Sequence, residues 1–371
     1  MGPTKAEINH KNLVHNLNLI SDAVRPARVM AVVKANSYGH GSIETAETLV
    51  KNGVDFLAVA FHEEGIELRK AGFSVPILVF GAQLTDFFES HLEYDLDITL
   101  TSQQQIYHLE QLYQKYNKKA RVHIKVDTGM NRVGFNLRYF IEHAGEILNS
   151  DFFEIVGIYS HLSSSDEEDH TYTKMQIERF NSVRETVLNS TDRTVLFHLA
   201  NSGAIMRLPE SYYDYVRPGV MLYGNPPSPD FDLSWDLREV MRFVSRVALI
   251  KDVAKDEPIS YGRRYYTQQH TKIAVIPAGY ADGYNRRLTN TGSVLIRGKR
   301  YPVSGTVCMD QILVDLGPDA PVEVGDEVVL FGEQGDQHIT IVEMARELGT
   351  IPYEVTCWPS RRVPRKHINK K

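Results

Sequence analysis

The chain has 371 residues, of which 42% are hydrophobic and 24% are charged, with a formal net charge of −6. This length predicts two domains, or one large barrel with an appended domain, and the composition is typical of a globular protein. The negative charge argues mildly against nucleic acid or an anionic membrane surface as the main partner.

Short β-type runs recur through the first part of the chain, separated by segments of helical periodicity. We predict strands at residues 29–33, 55–61, 76–80, 97–100, 121–126, 154–159, 195–199 and 214–217. Several are nearly continuous apolar runs, as expected for parallel strands that are covered on both faces. Eight strand–helix units in about 220 residues favour a (β/α)8 TIM-type barrel over an open doubly wound sheet, which would give a similar pattern.

The pattern changes after Gly224. Residues 225–232 (NPPSPDFD) hold three prolines and are typical of a linker. Short β-type runs with tight turns follow, and helical periodicity returns only at residues 341–348. We therefore predict a barrel domain over residues 1–232 and a mainly antiparallel β domain over residues 233–371. The first few residues of the chain are candidates for membership of the β domain.

No segment of the sequence indicates secretion or membrane insertion. The N-terminus lacks the apolar core of a signal peptide, and no apolar run approaches the roughly 20 residues that span a bilayer. The two cysteines, Cys308 and Cys357, are not part of a Cys/His cluster with zinc spacing. We therefore expect a cytoplasmic protein with neither a disulfide scaffold nor a metal site.

The segment 33–41 (VKANSYGHG) places Lys34 at the end of the first predicted strand, the edge where barrel enzymes carry their active-site residues. A lysine that follows five apolar residues can be partly desolvated, which lowers the pKa of its amine and favours covalent bonding to an aldehyde. Taken alone, a solvated lysine at a strand end is the better interpretation, because lysine is seldom buried.

The complete string VVKANSYGHG closely resembles the pyridoxal-phosphate lysine motif of the alanine racemase family. The resemblance continues over nearly the full chain, with the later motifs in the family order. The family combines a pyridoxal-phosphate barrel with a β domain, which is the organisation that the segmentation predicts independently. The resemblance implies an isomerase that interconverts L-alanine and D-alanine and supplies D-alanine for peptidoglycan. It also implies that Lys34 holds the cofactor aldehyde and that Tyr38 contacts its phosphate.

The resemblance implies further cofactor contacts at the ends of the later strands. It places Arg217 against the pyridine nitrogen, with His161 linking Arg217 to the catalytic tyrosine. Because arginine only donates hydrogen bonds and stays protonated, the ring nitrogen would remain unprotonated, and we expect this to suppress transamination. The loops after strands seven and eight fit the usual phosphate site of a barrel. The residues assigned to the phosphate there and in the β domain are Asn201, Ser202, Gly219, Val220 and Tyr353.

The segment 125–134 (KVDTGMNRVG) runs from the fifth predicted strand into a loop that contains two glycines. Arg132 in this loop suits a carboxylate, which a guanidinium can bind through two hydrogen bonds, although a surface arginine in a turn is about as plausible from this segment alone. The resemblance implies that Arg132 and the backbone amide of Met309 bind the substrate carboxylate. It also implies that Lys125 is a candidate for carbamylation, which would provide an anion to orient Arg132.

Residues 260–263 (SYGR) in the β domain match the catalytic tyrosine loop of the family. Racemisation removes a proton from one face of the α-carbon and delivers one to the other, so the resemblance implies two bases, Lys34 and Tyr261. Tyr280 and Tyr353 would narrow the entrance and favour a methyl side chain. Because the two bases lie in different domains, we predict a homodimer with shared active sites, in which a barrel faces the β domain of the partner.

Other functions stay open at this point. A barrel-type pyridoxal-phosphate decarboxylase shares the two-domain plan but usually places an acidic residue at the pyridine nitrogen, where this chain offers Arg217. A non-catalytic carrier of pyridoxal phosphate is a lone barrel and lacks the β domain that holds Tyr261. A broader amino-acid racemase that also accepts serine is a further alternative.

Overall fold

The computed structural model describes residues 2–231 and 234–370. The predicted domain boundary, between residues 232 and 233, therefore lies outside the described residues. The strands are β1 (Lys5–Asn9), β2 (Arg28–Val32), β3 (Phe56–Val59), β4 (Ile77–Val79), β5 (Asp97–Leu100), β6 (Ala120–Asp127), β7 (Phe135–Asn136), β8 (Phe153–Tyr159), β9 (Leu196–His198), β10 (Tyr215–Val216), β11 (Met241–Arg246), β12 (Leu249–Val253), β13 (Pro258–Ile259), β14 (Tyr265–Tyr266), β15 (Thr271–Ile276), β16 (Ser293–Ile296), β17 (Lys299–Pro302), β18 (Ile312–Gly317), β19 (Glu327–Gln334), β20 (Gln337–Ile339) and β21 (Arg365–Ile368). The α-helices are α1 (His10–Ala23), α2 (Ser42–Lys51), α3 (His62–Lys70), α4 (Phe88–Glu93), α5 (Gln103–Tyr116), α6 (Leu137–Leu148), α7 (Thr171–Ser190), α8 (Ser202–Arg207), α9 (Ile341–Leu348) and α10 (Pro352–Cys357).

Eight parallel strands form a closed barrel. Their order is β5-β4-β3-β2-β10-β9-β8-β6, and pairing of β5 with β6 closes the ring. All eight lie where the sequence predicted strands, with ends that differ by a few residues, so the prediction of a barrel is confirmed. The strands β3, β4 and β5 are buried along their whole length, and the first two, β3 (FLAV) and β4 (ILV), are accordingly continuous apolar runs.

The helices between these strands are amphipathic. In α7 the buried positions recur at intervals of three and four residues, so one face of the helix packs inward. Phe180 on that face contacts the ring of Phe197 in β9, with ring centroids 6.3 Å apart. None of the helices in the two described ranges is long and apolar enough to cross a membrane.

The second domain is mainly antiparallel, as the sequence predicted. Its largest sheet has the order β17-β16-β19-β11-β1-β21, and a three-stranded sheet has the order β12-β15-β18. Strand β1 comes from the start of the chain and pairs antiparallel with β11 and parallel with β21. The predicted helix at residues 341–348 is α9.

Candidate functional site

A pocket of about 400 Å³ lies at the carboxyl ends of the barrel strands. It collects side chains from loops that are far apart in the sequence, because parallel strands of a barrel all end at the same rim. Ten of the residues that the sequence singled out line it: Lys34, Tyr38, Lys125, Arg132, His161, Asn201, Ser202, Arg217, Gly219 and Tyr353.

The pocket is strongly cationic. Lys34, Lys125, Arg132 and Arg217 line it, and the described lining includes no Asp or Glu. Burial, together with Arg132, lowers the pKa of Lys34. Burial also lowers the pKa of Lys125 to about 7, with further contributions from Arg217 and Arg132. The pocket therefore suits an anionic ligand and holds amines that give up their protons more readily than free lysine.

Lys34 lies at the start of an unusual turn. It directly follows β2 and Val33, and the next residues, Ala35, Asn36, Ser37 and Tyr38, have φ of 52°, 55°, 52° and 53°. Four successive non-glycine residues in the left-handed region are costly, at roughly 1–2 kcal/mol per residue. The turn is therefore held by contacts outside itself.

The far end of this left-handed turn is held by a buried histidine. His40 Nδ1 lies 2.9 Å from both carbonyl oxygens of Ser37 and Tyr38, so it donates to them. The His40 ring also stacks on Tyr223, with centroids 4.5 Å apart. Burial lowers the pKa of His40 to about 3, so the ring stays neutral.

Arg217 is fixed by a network inside the barrel. Its Nη2 donates to the carbonyl oxygens of Ser160 at 2.7 Å and Leu199 at 2.9 Å, and its Nη1 lies 3.0 Å from His198 Nδ1. Because arginine only donates, His198 Nδ1 accepts and its Nε2 carries the proton. That Nε2 lies 2.9 Å from Nδ1 of His123. The guanidinium is therefore oriented by three groups of the barrel interior.

His161 lies beside Arg217 but not beside the predicted catalytic tyrosine. Its Nδ1 is 3.4 Å from Arg217 Nη2, and burial with Arg217 lowers its pKa well below the usual range. Within the described part of one chain, no hydrogen bond joins His161 to Tyr261. Of the predicted link from Arg217 through His161 to Tyr261, a single chain therefore shows the contact between Arg217 and His161 only.

The loops after β9 and β10 meet around a small concave surface. Ser202 Oγ accepts a hydrogen bond from the amide of Gly219 at 3.0 Å, and Asn201 caps α8 by accepting from Ala204 N at 3.1 Å. A methyl group on Gly219 would lie 2.3 Å from Tyr38 Oη, so only glycine allows this approach. Val220 is fully buried at the start of a short 3-10 turn.

Three residues predicted for the site lie elsewhere. Tyr261, Tyr280 and Met309 are in the β domain, do not line the pocket, and are 73%, 42% and 52% exposed. Tyr353 lines the pocket, with its ring 5.9 Å from that of Tyr38, so the predicted pair of entrance tyrosines is not brought together in one chain. A single chain therefore assembles the barrel residues of the predicted site together with Tyr353 of the β domain, and leaves the other three β-domain residues exposed.

Sequence reasoning missed Tyr159, which lines the pocket, and the fully buried His198, which packs against Tyr159 without lining the pocket. The ring of Tyr159 stacks on His198 at 4.8 Å, and the Lys125 amine and the Arg217 guanidinium lie 5.1 Å and 5.3 Å from its centroid. Its hydroxyl is 2.8 Å from Thr99 Oγ1. Tyr159 and His198 are the last residues of β8 and β9, so their position at the catalytic rim was the available signal.

Comparisons with known proteins give a consistent result over the whole chain. The sequence models of the alanine racemase N-terminal and C-terminal domains match residues 8–227 and 240–367. Alanine racemase 2 of Caldanaerobacter subterraneus is 44% identical over 368 residues, covering 99% of this chain and 95% of that protein.

Solved structures of alanine racemases are also similar. The enzyme of Clostridium difficile superimposes with a TM-score of 0.94 at 38% identity and covers 100% of this chain and 97% of its own. The enzyme of Bartonella henselae, solved with covalently bound pyridoxal phosphate, has a TM-score of 0.89 at 29% identity and covers 99% of this chain and 100% of its own.

Proposed function

The chain belongs to the alanine racemase family and is an isomerase that racemises alanine, and on that premise we propose that it uses pyridoxal phosphate. The barrel pocket would be the cofactor-binding half of its active site, and the β domain of a second subunit would complete it. We also propose the division into a barrel domain to residue 232 and a β domain from residue 233, with β1 in the β domain. Action in the cytoplasm, where D-alanine would be made for peptidoglycan, belongs to the same proposal.

One observation carries this proposal. Lys34, whose pKa is lowered by burial, and Arg217 line the same small cationic pocket, beside the concave surface around Gly219. None of the described residues accepts a hydrogen bond from the Nε–H of Arg217, although its other guanidinium nitrogens are engaged. The Lys34 amine fits the cofactor aldehyde, and the free Nε–H of Arg217 fits the ring nitrogen. The surface around Gly219, which has no room for a side chain, fits the phosphate. The bound cofactor of the Bartonella henselae relative supports this assignment.

When bound, pyridoxal phosphate supplies an aldehyde that takes up the substrate amine and a ring that withdraws electrons from the α-carbon. The residues of this chain do the rest. Ser202 and the amides of Gly219 and Val220 would hold the phosphate, and Arg132 would hold the substrate carboxylate. Lys34 would remove or return the proton on one face of the α-carbon.

The proton on the opposite face requires a second base. Tyr261 is the candidate, and because it is 73% exposed and outside the pocket of its own chain, we assign this role to the partner's Tyr261. The backbone amide of Met309 and the ring of Tyr280 would reach the site in the same way. With one base on each face, a proton can be removed from either enantiomer and returned on the opposite face.

Arg217 distinguishes this function from a barrel-type decarboxylase. Its side chain is buried and only donates, so it would keep the ring nitrogen unprotonated and limit electron withdrawal. An acidic partner would support the protonated ring, which suits reactions with longer-lived carbanions. The identity of residue 217 therefore favours simple racemisation.

We expect Arg217→Glu to slow racemisation by on the order of 10²-fold, because a positioned donor is lost, and to raise transamination per turnover. The measurement is the ratio of pyruvate formed to alanine racemised, on protein checked for folding by its melting curve. Arg217→Lys is the matched control, since it keeps a donor-only cation and should slow racemisation without changing that ratio. An unchanged ratio in Arg217→Glu would refute the role of the ring nitrogen.

Lys125 is the second residue with a testable role. Because burial lowers the pKa of Lys125 to about 7, its amine should be largely neutral at mildly alkaline pH and able to attack carbon dioxide, forming a carbamate N–C bond and releasing one proton. We expect protein equilibrated with ¹³C-bicarbonate at mildly alkaline pH to show a carbamate resonance.

Lys125→Met should lack this carbamate resonance and raise KM for alanine roughly tenfold or more, because Arg132 loses an anionic partner. Lys119→Met, at an exposed position just before β6, should change neither. A resonance that persists in Lys125→Met would assign the carbamate elsewhere.

A further inference from the structure

One carboxylate joins the loop that carries Lys34 to the next barrel loop. Glu64 is the third residue of α3, and its Oε2 accepts hydrogen bonds from the amides of Ala60 at 2.8 Å and Phe61 at 3.1 Å. Its Oε1 accepts from the amide of Ala35 at 2.6 Å. Both oxygens of Glu64 are therefore occupied by backbone donors, and these donors come from two different strand–helix loops.

The contact at Ala35 is made where the backbone is strained. Ala35 is the first of the four left-handed residues that follow Lys34, with φ and ψ of 52° and 50°. His40 holds the last two carbonyls of this turn, and Glu64 holds its first amide. The strained segment is thus fixed at both ends by side chains, and one of these ends is next to Lys34.

We propose that Glu64 is a positioning residue for Lys34, one that keeps the left-handed turn formed and the Lys34 amine directed into the pocket. The inference rests on the proposed function, because it assigns Glu64 to the residue that would hold the cofactor. Glu64 does not line the pocket itself and acts through the backbone.

The chemistry of the contact requires a carboxylate of this length. An ionised carboxylate is an acceptor on both oxygens, and all three of its partners here are N–H donors. Glutamine would turn its NH2 group toward one set of donors and leave them without an acceptor. Aspartate keeps the charge, but its side chain is one methylene shorter and cannot span both loops. Burial and Arg132 lower the pKa of Lys34, and the negative charge of Glu64 partly opposes this effect.

Helix capping alone explains only half of the arrangement. A glutamate at the third position of a helix commonly accepts from the amide at the helix start, which accounts for the Oε2 contact with Phe61. It does not account for the Oε1 contact with Ala35, 29 residues earlier in the chain. If Glu64 were only a cap, its replacement would weaken α3 and leave the turn after Lys34 unchanged.

The test compares Glu64→Gln with Glu63→Gln in the full-length protein. Glu63 precedes Glu64 in the first turn of α3, and its side chain is 70% exposed, so its replacement removes the same charge without touching the Lys34 loop. Hydrogen–deuterium exchange of the segment 33–41 is the first readout. We expect exchange there to become about tenfold faster or more in Glu64→Gln, since a backbone donor loses its acceptor, and to stay unchanged in Glu63→Gln.

The second readout is the pH at which half of the added pyridoxal phosphate becomes attached to Lys34, scored by borohydride reduction and peptide mapping. Removal of the neighbouring negative charge should move this pH lower in Glu64→Gln, while Glu63→Gln should leave it unchanged. Glu64→Asp should also accelerate exchange of the segment 33–41, but because it keeps the negative charge, the pH of half-maximal attachment should change little. If Glu64→Gln folds poorly, Glu64→Asp takes its place in the test.

The two assignments fail in different ways. Unchanged exchange of the segment 33–41 in both Glu64 variants, with only a lower melting temperature, would refute the positioning role and leave a cap. Absence of attachment at Lys34 in the unmodified protein would refute the proposed cofactor instead, whereas the exchange comparison would still report on Glu64.

Discussion

Replacement of Lys34 by alanine is expected to abolish both covalent attachment of pyridoxal phosphate and alanine racemisation. Lys34 is the amine that lies at the end of β2 in the cationic pocket, and its lowered pKa favours the neutral form that reacts with an aldehyde. Because the same amine would also move a proton at the α-carbon, we expect a loss of about 10³-fold or more. The measurements are the visible absorption of the purified protein, the mass of the borohydride-reduced chain, and the racemisation rate.

The control for this prediction is Lys51→Ala. Lys51 is on the last turn of α2, is exposed and pairs with Glu47 at 2.8 Å, so its loss should leave cofactor and activity intact. Lys125, the other lysine of the pocket, is a useful comparison because its pKa is also lowered. If Lys34→Ala kept a reducible adduct, peptide mapping would identify the amine that holds the cofactor, and the central assignment would be wrong.

The second expected result is recovery of activity from two inactive proteins. Lys34→Ala and Tyr261→Ala should each be inactive, because each removes one of the two proposed bases. In a mixed dimer with shared sites, one site carries both replacements and the other carries neither. With equal amounts and statistical subunit exchange, roughly a quarter of all sites would be intact. We expect activity to recover to about that fraction.

A matched pair of variants makes this test specific. Lys34→Ala mixed with Arg217→Glu places both replacements in the barrel pocket, so every site of the mixed dimer retains one of them and activity should not recover. Native mass spectrometry would verify that subunits exchange in both mixtures. Exchange without recovery in the mixture of Lys34→Ala and Tyr261→Ala would contradict a shared site and require both bases to act within one chain.

The barrel could be predicted from the sequence because its strands have a strong local signal. The runs that became β3 and β4 are apolar on both faces, and a periodic helical segment separates them. Lys34, His161 and Arg217 each follow such a run closely, so their convergence at one rim followed from the strand assignment alone. The roles given to them required the family resemblance as well.

The remaining features depend on contacts that local sequence does not encode. Nothing in the string KANSY indicates four left-handed residues, because alanine, serine and tyrosine rarely adopt that conformation. This left-handed conformation is held by His40 and by Glu64, which is 30 positions after Lys34. The network from Arg217 through His198 to His123 likewise joins different barrel strands, and each histidine alone reads as an ordinary polar residue in an apolar run.

The position of β1 has a consequence for any attempt to divide the chain. This strand fills the space between β11 and β21, so the larger sheet of the β domain is continuous only when residues from both ends of the polypeptide are present. A fragment that begins after the linker would have two unpaired strand edges facing an empty slot, which is a template for aggregation. A fragment that ends before the linker would carry an orphan strand without a sheet. We therefore expect neither domain to fold properly as a separate fragment, and subunits should be exchanged or redesigned only as whole chains.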